Sequence, residues 1–437
     1  MELFGISFLF YFLPLFLGIY YITENKNKPM TIFLGSILFY LLQNGTSLWQ
    51  VVMVLILLVI TFLCGHWIGE GRRRLVLPLG LSVLIGALVF FKCYRGGTLL
   101  PVGMSFYLFQ MAAYLIDIRQ GRVEPEKQFV SYGAQIMMFP RLLSGPLMEP
   151  AQLQAQMSNP RINQFRFRAG LQELVLGLGM KVLLADRLAA VWSQAKVIGF
   201  DSLSSVFAWI ALIAFALRLY FDFHGYSLMA VGIGKLMGFE LPRNFDSPYA
   251  ARSVSDFYRR WHITLTVWFR RYVYIPLGGN RKGKLRTALN ILVVWMLTGL
   301  WHGMGGNYLI WGAFLGLVIG VEKLWLGKRL ERMDVVSHFY TIAIILLSWI
   351  PFALGDWEQM ATFIMRLVLF NTSSGGEFLK FIPLVLLGLL FATPVPEKLF
   401  RRYREKLWFD GALFVLFWVC VYFVSTTAQD PFLYFRF

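Results

Sequence analysis

Cysteine is nearly absent: Cys64, Cys93 and Cys420 are the only three in 437 residues, widely spaced and within or beside apolar runs. That excludes a disulfide framework or a cysteine zinc site and leaves packing as the expected role of all three. Histidine is scarce too, with five in the chain. No HExxH pattern joins any two of them, so no metal is expected. No GxSxG stretch occurs, and an enzyme built on this chain is expected to use its acceptor's own hydroxyl as nucleophile. Charge is the third shortage, at 15% of residues against 57% hydrophobic. A soluble globular protein does not have that balance; a polytopic membrane protein does.

The apolar residues fall in runs of about 20, the length that crosses a bilayer as helix. Candidates are 3–21, 48–68, 75–91, 171–192, 206–221, 289–301, 308–321, 339–354, 381–392 and 412–427, with 30–42 and 101–118 weaker. The first run has no basic residue before it and no small-residue cleavage site, so it reads as a retained span rather than a signal peptide. Glu2 precedes it and Lys26 and Lys28 follow, which places the amino terminus outside and the first loop in the cytoplasm. The excess of 41 basic over 24 acidic residues sits in short loops between these runs. Positive-inside topology explains that excess, and nucleic acid is not expected as a partner. With no repeat and no low-complexity tract, the expected organisation is an all-α helical bundle forming one membrane domain over 1–437.

Two regions break the pattern. Between Gln128 and Pro160, Pro140, Gly145, Pro146 and Pro150 interrupt a run too short to cross, which reads as re-entrant or buried in the bundle. From Asp222 to Arg286, aromatic, basic and glycine residues mix without a clean span and read as a buried inner half. Within it, Arg259-Arg260 and Arg270-Arg271 bracket nine residues, a rise of only about 14 Å as helix. Tyr258, His262, Leu265, Phe269 and Tyr272 recur at helical spacing. That spacing predicts one short boundary helix with His262 on its aromatic face and arginines reaching headgroups or an anionic ligand.

His302 closes the almost wholly apolar stretch 290–301 and precedes Gly303, Gly305 and Gly306, small residues that would let a substrate or another chain approach. It is either a core histidine with satisfied nitrogens or a site, because ionisable groups within the membrane usually mark a pathway or a reaction. A buried neutral imidazole can accept a proton, as a general base must. His262 is either a headgroup-level anchor or a second site residue. His224 follows Asp222 closely enough to pair with it, while His66 and His338 lie at span edges. The loop Gly278-Gly279-Asn280 with Arg281, Lys282 and Lys284 could receive phosphate, but it lacks a Walker pattern and reads as a cytoplasmic loop.

At these residues the chain resembles the membrane-bound O-acyltransferase family, in its bacterial branch of alginate O-acetylation and teichoic acid D-alanyl transfer proteins. Leu100 to Tyr107 (LPVGMSFY) and Phe139 to Pro146 (FPRLLSGP) look like two family segments. YFDFHGYSLMAVG and FELPRNFDSPYAARSVSDFYRRWHITLTVWFRRYVYIPLGGNR match the longest block, and the core of the likeness covers 100–322. The last residues, Asp430 to Phe437, are similar to the family terminus. Arg271, Tyr258 and His224 depart from the residues usual at their positions. Leu228 follows the teichoic-acid members and Ile275 to Gly279 the alginate-like ones, so the acceptor stays open.

The resemblance implies His302 as the catalytic histidine and His262 as the second histidine of the bacterial branch. It implies a bundle of about eleven spans with half-helices around a tunnel. An acyl thioester, acetyl-CoA or an acyl-carrier protein, would give an acyl group to an extracytoplasmic polysaccharide or cell-wall polymer. The setting would be the bacterial plasma membrane, with a serine-esterase-like partner outside it. The alternative is a transporter or flippase for a lipid-linked or anionic solute, since transporters also use broken helices and buried histidines.

Overall fold

In the computed structural model, residues 1–43, 46–94, 100–330, 332–369 and 376–427 are described. The terminal motif Asp430 to Phe437 lies outside them. Among the described residues the fold is all-α and contains no strand, as the composition requires. In chain order the first helices are α1 (Leu13–Ile22), α2 (Lys28–Leu41), α3 (Leu48–Gly69), α4 (Arg73–Cys93) and α5 (Met104–Arg119). Short pieces follow: α6 (Phe129–Met137), α7 (Phe139–Leu142) and α8 (Pro150–Ser158). Next come α9 (Gln164–Gly179), α10 (Asp186–Ile198), α11 (Ser205–Leu236), α12 (Val254–Arg260) and α13 (Ile263–Phe269). Then come α14 (Lys284–His302), α15 (Gly306–Val321), α16 (Gly327–Leu330) and α17 (Asp334–Ala353). The last four are α18 (Trp357–Val368), α19 (Ile382–Phe391), α20 (Val395–Tyr403) and α21 (Leu407–Thr426).

Six of these helical stretches are long and apolar enough to cross a membrane: α3, Arg74–Cys93, α11, Gly306–Leu326, α17 and α21. A seventh is counted if Phe378–Phe391 and Val395–Tyr403, bent by 61°, form one span. The protein is therefore a multi-pass membrane protein, with fewer full-length spans among the described residues than the about eleven expected. One expected span, 171–192, is interrupted by a wide π-helical turn, Met180–Ala185, between α9 and α10. Another ends later than expected: α11 runs unbroken past Phe221 through Asp222 and His224 to Leu236.

The chain divides into two compact units. The first comprises Met1–Leu178, Tyr226–Arg243 and the described part of Val415–Arg436. Its centre is the broken stretch read from the prolines, and Tyr132 to Met148 is buried throughout. Phe139 lies 5.0–5.4 Å from Phe12, Phe16 and Phe39, ring centre to ring centre. Gly103 starts α5 with φ +71°, and a Cβ there would stand 2.5 Å from the Leu142 carbonyl oxygen, so only glycine fits.

Arg141, 1% exposed, ties this stretch together. Its Nε donates to Pro146 O at 3.2 Å, Nη1 to Gln135 O at 3.4 Å and Nη2 to Gln110 Oε1 at 2.9 Å. One planar fork thus joins α5 to both sides of the break, which a lysine's single ammonium could not do. Arg141→Ala removes these bonds and leaves a cavity, and is expected to destabilise by roughly 2 kcal/mol. Thermal unfolding of purified protein in detergent checks this: Arg141→Ala should melt below Arg141→Lys, and both below the parent.

The second unit comprises Gly179–Gly225 and Asn244–Phe414. Lys181 projects from the π turn, 1% exposed, with Nζ 2.8 Å from both Asp186 Oδ1 and Asp222 Oδ1. Helices α14 and α15 form a hairpin whose backbones nearly touch. A Cβ at Gly299 would meet Tyr308 O at 2.3 Å, and one at Gly312 would meet Trp295 O at 2.4 Å. Of the cysteines, Cys64 and Cys420 are buried as expected, whereas Cys93 is exposed and so does not pack a core.

Candidate active site

The helix expected through His262 is broken. α12 stops at Arg260 and α13 starts at Ile263, with His262 between them in the left-handed region at φ +45°, ψ +51°. The break is made by a segment far away in sequence. Asp246 N donates to Arg260 O and Ile263 N to Asn244 O, both at 3.0 Å, so that Phe245 and Trp261 pair as an isolated bridge. Asn244 completes it, its Oδ1 accepting from Thr264 Oγ1 at 2.6 Å and Thr264 N at 3.3 Å. A non-glycine residue in this conformation costs about 1–2 kcal/mol, and such strain persists where neighbours impose it, often at working sites. The arginines at the end of α12 turn back on their own helix, Arg259 and Arg260 both pairing with Asp256.

His262 is 3% exposed, with Phe223 of α11 edge-on at 4.6 Å. It lies outside every span, and burial lowers its pKa, so the ring is neutral at cell pH. His302, the last residue of α14, is 4% exposed. Its walls are Trp311 of α15 at 5.1 Å and Phe352 of α17 at 5.0 Å. Trp301 spans the two histidines, 6.2 Å from His262 and 4.5 Å from His302. The structure thus sets two imidazoles that are 40 residues apart against one indole, both buried among aromatic rings, where a hydrogen bond meets little competition from water.

The direction that a side chain would take at Gly303 and at Gly305 is already occupied by this chain's own residues. A Cβ at Gly303 would strike the Tyr308 ring at 2.4 Å, and one at Gly305 the Asn307 Oδ1 at 2.4 Å. These glycines let α15 turn back tightly on α14. Asp222 is taken by Lys181, while the His224 ring packs against Tyr220 and Phe245 at 5.2 and 5.1 Å. His66 and His338 meet backbone carbonyls at Phe62 and Ala251. The loop after Gly278 is a glycine turn with Lys282 and Lys284 exposed.

Further aromatic contacts surround the two histidines. Tyr258 of α12 packs on Trp295 of α14 at 4.3 Å, Trp295 on Trp311 at 5.8 Å, and Trp261 on Trp349 at 5.3 Å. Asn244 Nδ2 is buried with no hydrogen-bond partner among the described residues, and its direction is fixed by the two donors on Oδ1.

The model of the family described as "MBOAT, membrane-bound O-acyltransferase family" matches residues 125–360, more than half of the chain and both histidines. A probable alginate O-acetylase AlgI of Pseudomonas putida is 30% identical over 98% of this chain and 99% of its own length. A peptidoglycan O-acetyltransferase of Helicobacter pylori is 29% identical over 89% and 85%. A teichoic acid D-alanyltransferase of Lacticaseibacillus rhamnosus is 26% identical over 62% and 72%. With a family match of that extent and a relative aligned from end to end, the chain belongs to the membrane-bound O-acyltransferase family and is an O-acyltransferase.

Proposed function

We propose that the protein moves an acetyl group from a cytoplasmic thioester, acetyl-CoA or an acyl-carrier protein, to hydroxyls of an extracytoplasmic polysaccharide or cell-wall polymer in the bacterial plasma membrane. The observation that carries the reading is the pair of buried imidazoles on one indole, within a chain of this family. His302 acts as general base: it takes the acceptor hydroxyl proton while that oxygen attacks the thioester carbonyl. The tetrahedral intermediate expels the thiolate, and the imidazolium returns the proton to it. His262, neutral and held by its turn, hydrogen-bonds and orients the reacting groups. Acetyl is preferred to D-alanyl because the two O-acetylating relatives align over more of the chain than the D-alanyl one. A serine-esterase-like protein outside the membrane completes delivery to the polymer.

The transporter reading does not survive membership of a transferase family. A direct test supplies purified protein in lipid nanodiscs with acetyl-CoA, acetyl-loaded carrier protein or D-alanyl-loaded carrier protein, with and without polysaccharide acceptors. Thiol release that depends on a hydroxyl acceptor is expected for the acetyl donors, with an alkali-labile acetyl ester on the polymer once the extracytoplasmic partner is added. Turnover with D-alanyl-carrier alone would overturn the choice of acyl group.

A further inference from the structure

Helix α12 presents its first backbone N–H groups with no intrahelical acceptor. Ser253 Oγ takes the one from Asp256 at 3.0 Å. The others go to a residue 68 positions away: Glu322 accepts from Val254 N at 2.7 Å, from Ser255 N at 2.8 Å and from Ser255 Oγ at 2.6 Å. The Tyr340 hydroxyl of α17 bonds the same carboxylate. Glu322 is 3% exposed and opens the π turn Glu322–Leu326 at the end of α15, a wide turn that aims it sideways off the helix. A buried acid thus caps a helix it does not belong to, at the end where the helix dipole favours negative charge.

The effect is felt at the far end of α12, where the chain enters the strained turn of His262. α12 has only seven residues, too few to hold itself without its caps. α15 and the π turn that closes it reach toward both histidines: Trp311 of α15 walls His302, and Glu322 of the turn holds α12, the helix that leads into His262. Ring contacts such as Tyr258 on Trp295 tolerate sliding along the helix axis, whereas three directed bonds to one carboxylate do not. We propose that Glu322 is a positioning residue for acyl transfer, fixing His262 relative to His302 by capping α12 from the end of α15. The proposal rests on the reading of the two histidines given above.

Hydrogen exchange and steady-state kinetics on full-length protein in nanodiscs test it together. Glu322→Ala should speed amide exchange across 254–263 while leaving 284–302 protected. Its kcat should fall about 30-fold with the KM for acetyl-CoA held within about twofold, the pattern of a misplaced group rather than lost binding. Glu322→Gln, whose amide oxygen still accepts from the helix end, should recover most of both. Unchanged exchange at 254–263 in Glu322→Ala overturns the proposal, and so does a parental kcat in Glu322→Ala when His262→Ala is impaired. A parental rate in His262→Ala overturns the site reading itself, and the exchange measurement, being independent of turnover, keeps that failure apart from failure of the cap.

Discussion

His302→Ala is expected to transfer acyl groups about 10³-fold more slowly than the parent, the loss typical of a missing general base. The fold should survive the change. The hairpin of α14 and α15 is held by the backbone approach at Gly299 and Gly312, which the mutation leaves intact, and the lost ring leaves a cavity worth roughly 2 kcal/mol between Trp311 and Phe352. His302→Asn should be as slow, because an amide cannot take a proton at neutral pH. Acceptor-dependent thiol release, measured beside a melting curve for each variant, separates chemistry from folding. A His302→Ala protein that melts normally and works within tenfold of the parent would remove the general base from this position.

The second large effect should fall on His262 and should differ in kind. Burial lowers its pKa, so through the neutral range the ring gives and takes hydrogen bonds rather than net charge. Asparagine offers a donor and an acceptor and tolerates the left-handed backbone that His262 adopts at φ +45°. His262→Asn should therefore keep about a tenth of the parental rate, while His262→Ala, with neither bonding group nor conformational preference, should lose about 10²-fold. The acid limb of the pH–rate profile should keep its midpoint in His262→Asn, since a ring that stays neutral there does not define it. A shifted midpoint, or equal losses in the two variants, would mean that His262 itself carries the proton.

The class of fold was legible from composition, because 57% hydrophobic against 15% charged residues leaves few alternatives to a helical bundle in lipid. The buried break around Phe139 was legible too, since proline and glycine act locally. What could not be read was set by partners distant in the chain. The spacing of Tyr258, His262, Leu265 and Phe269 is helical, yet residues 244–246 pair with 260–263 and split the helix. Asp222 looked like the start of a region without a clean span because its partner, Lys181, lies 41 positions earlier. Glu322 ended an apolar run with nothing nearby to announce the helix end it serves, although a single acid closing such a run is a cue. Why Gly303 and Gly305 must be glycine was also out of reach, since only the return of Tyr308 and Asn307 occupies the directions their side chains would take.

The Lys181–Asp186–Asp222 cluster also constrains how the chain can be assembled. A lysine midway along a hydrophobic helix is disfavoured in lipid by about 3 kcal/mol, and Asp186 alone would leave that ion pair short of partners. Asp186 balances the ammonium's charge, but the second carboxylate on Nζ comes from Asp222, which is made only with the first half of α11. The segment from α9 to α10 is thus a poor independent guest in the bilayer, and its insertion is expected to depend on α11, whose Asp222 supplies the second partner of Lys181.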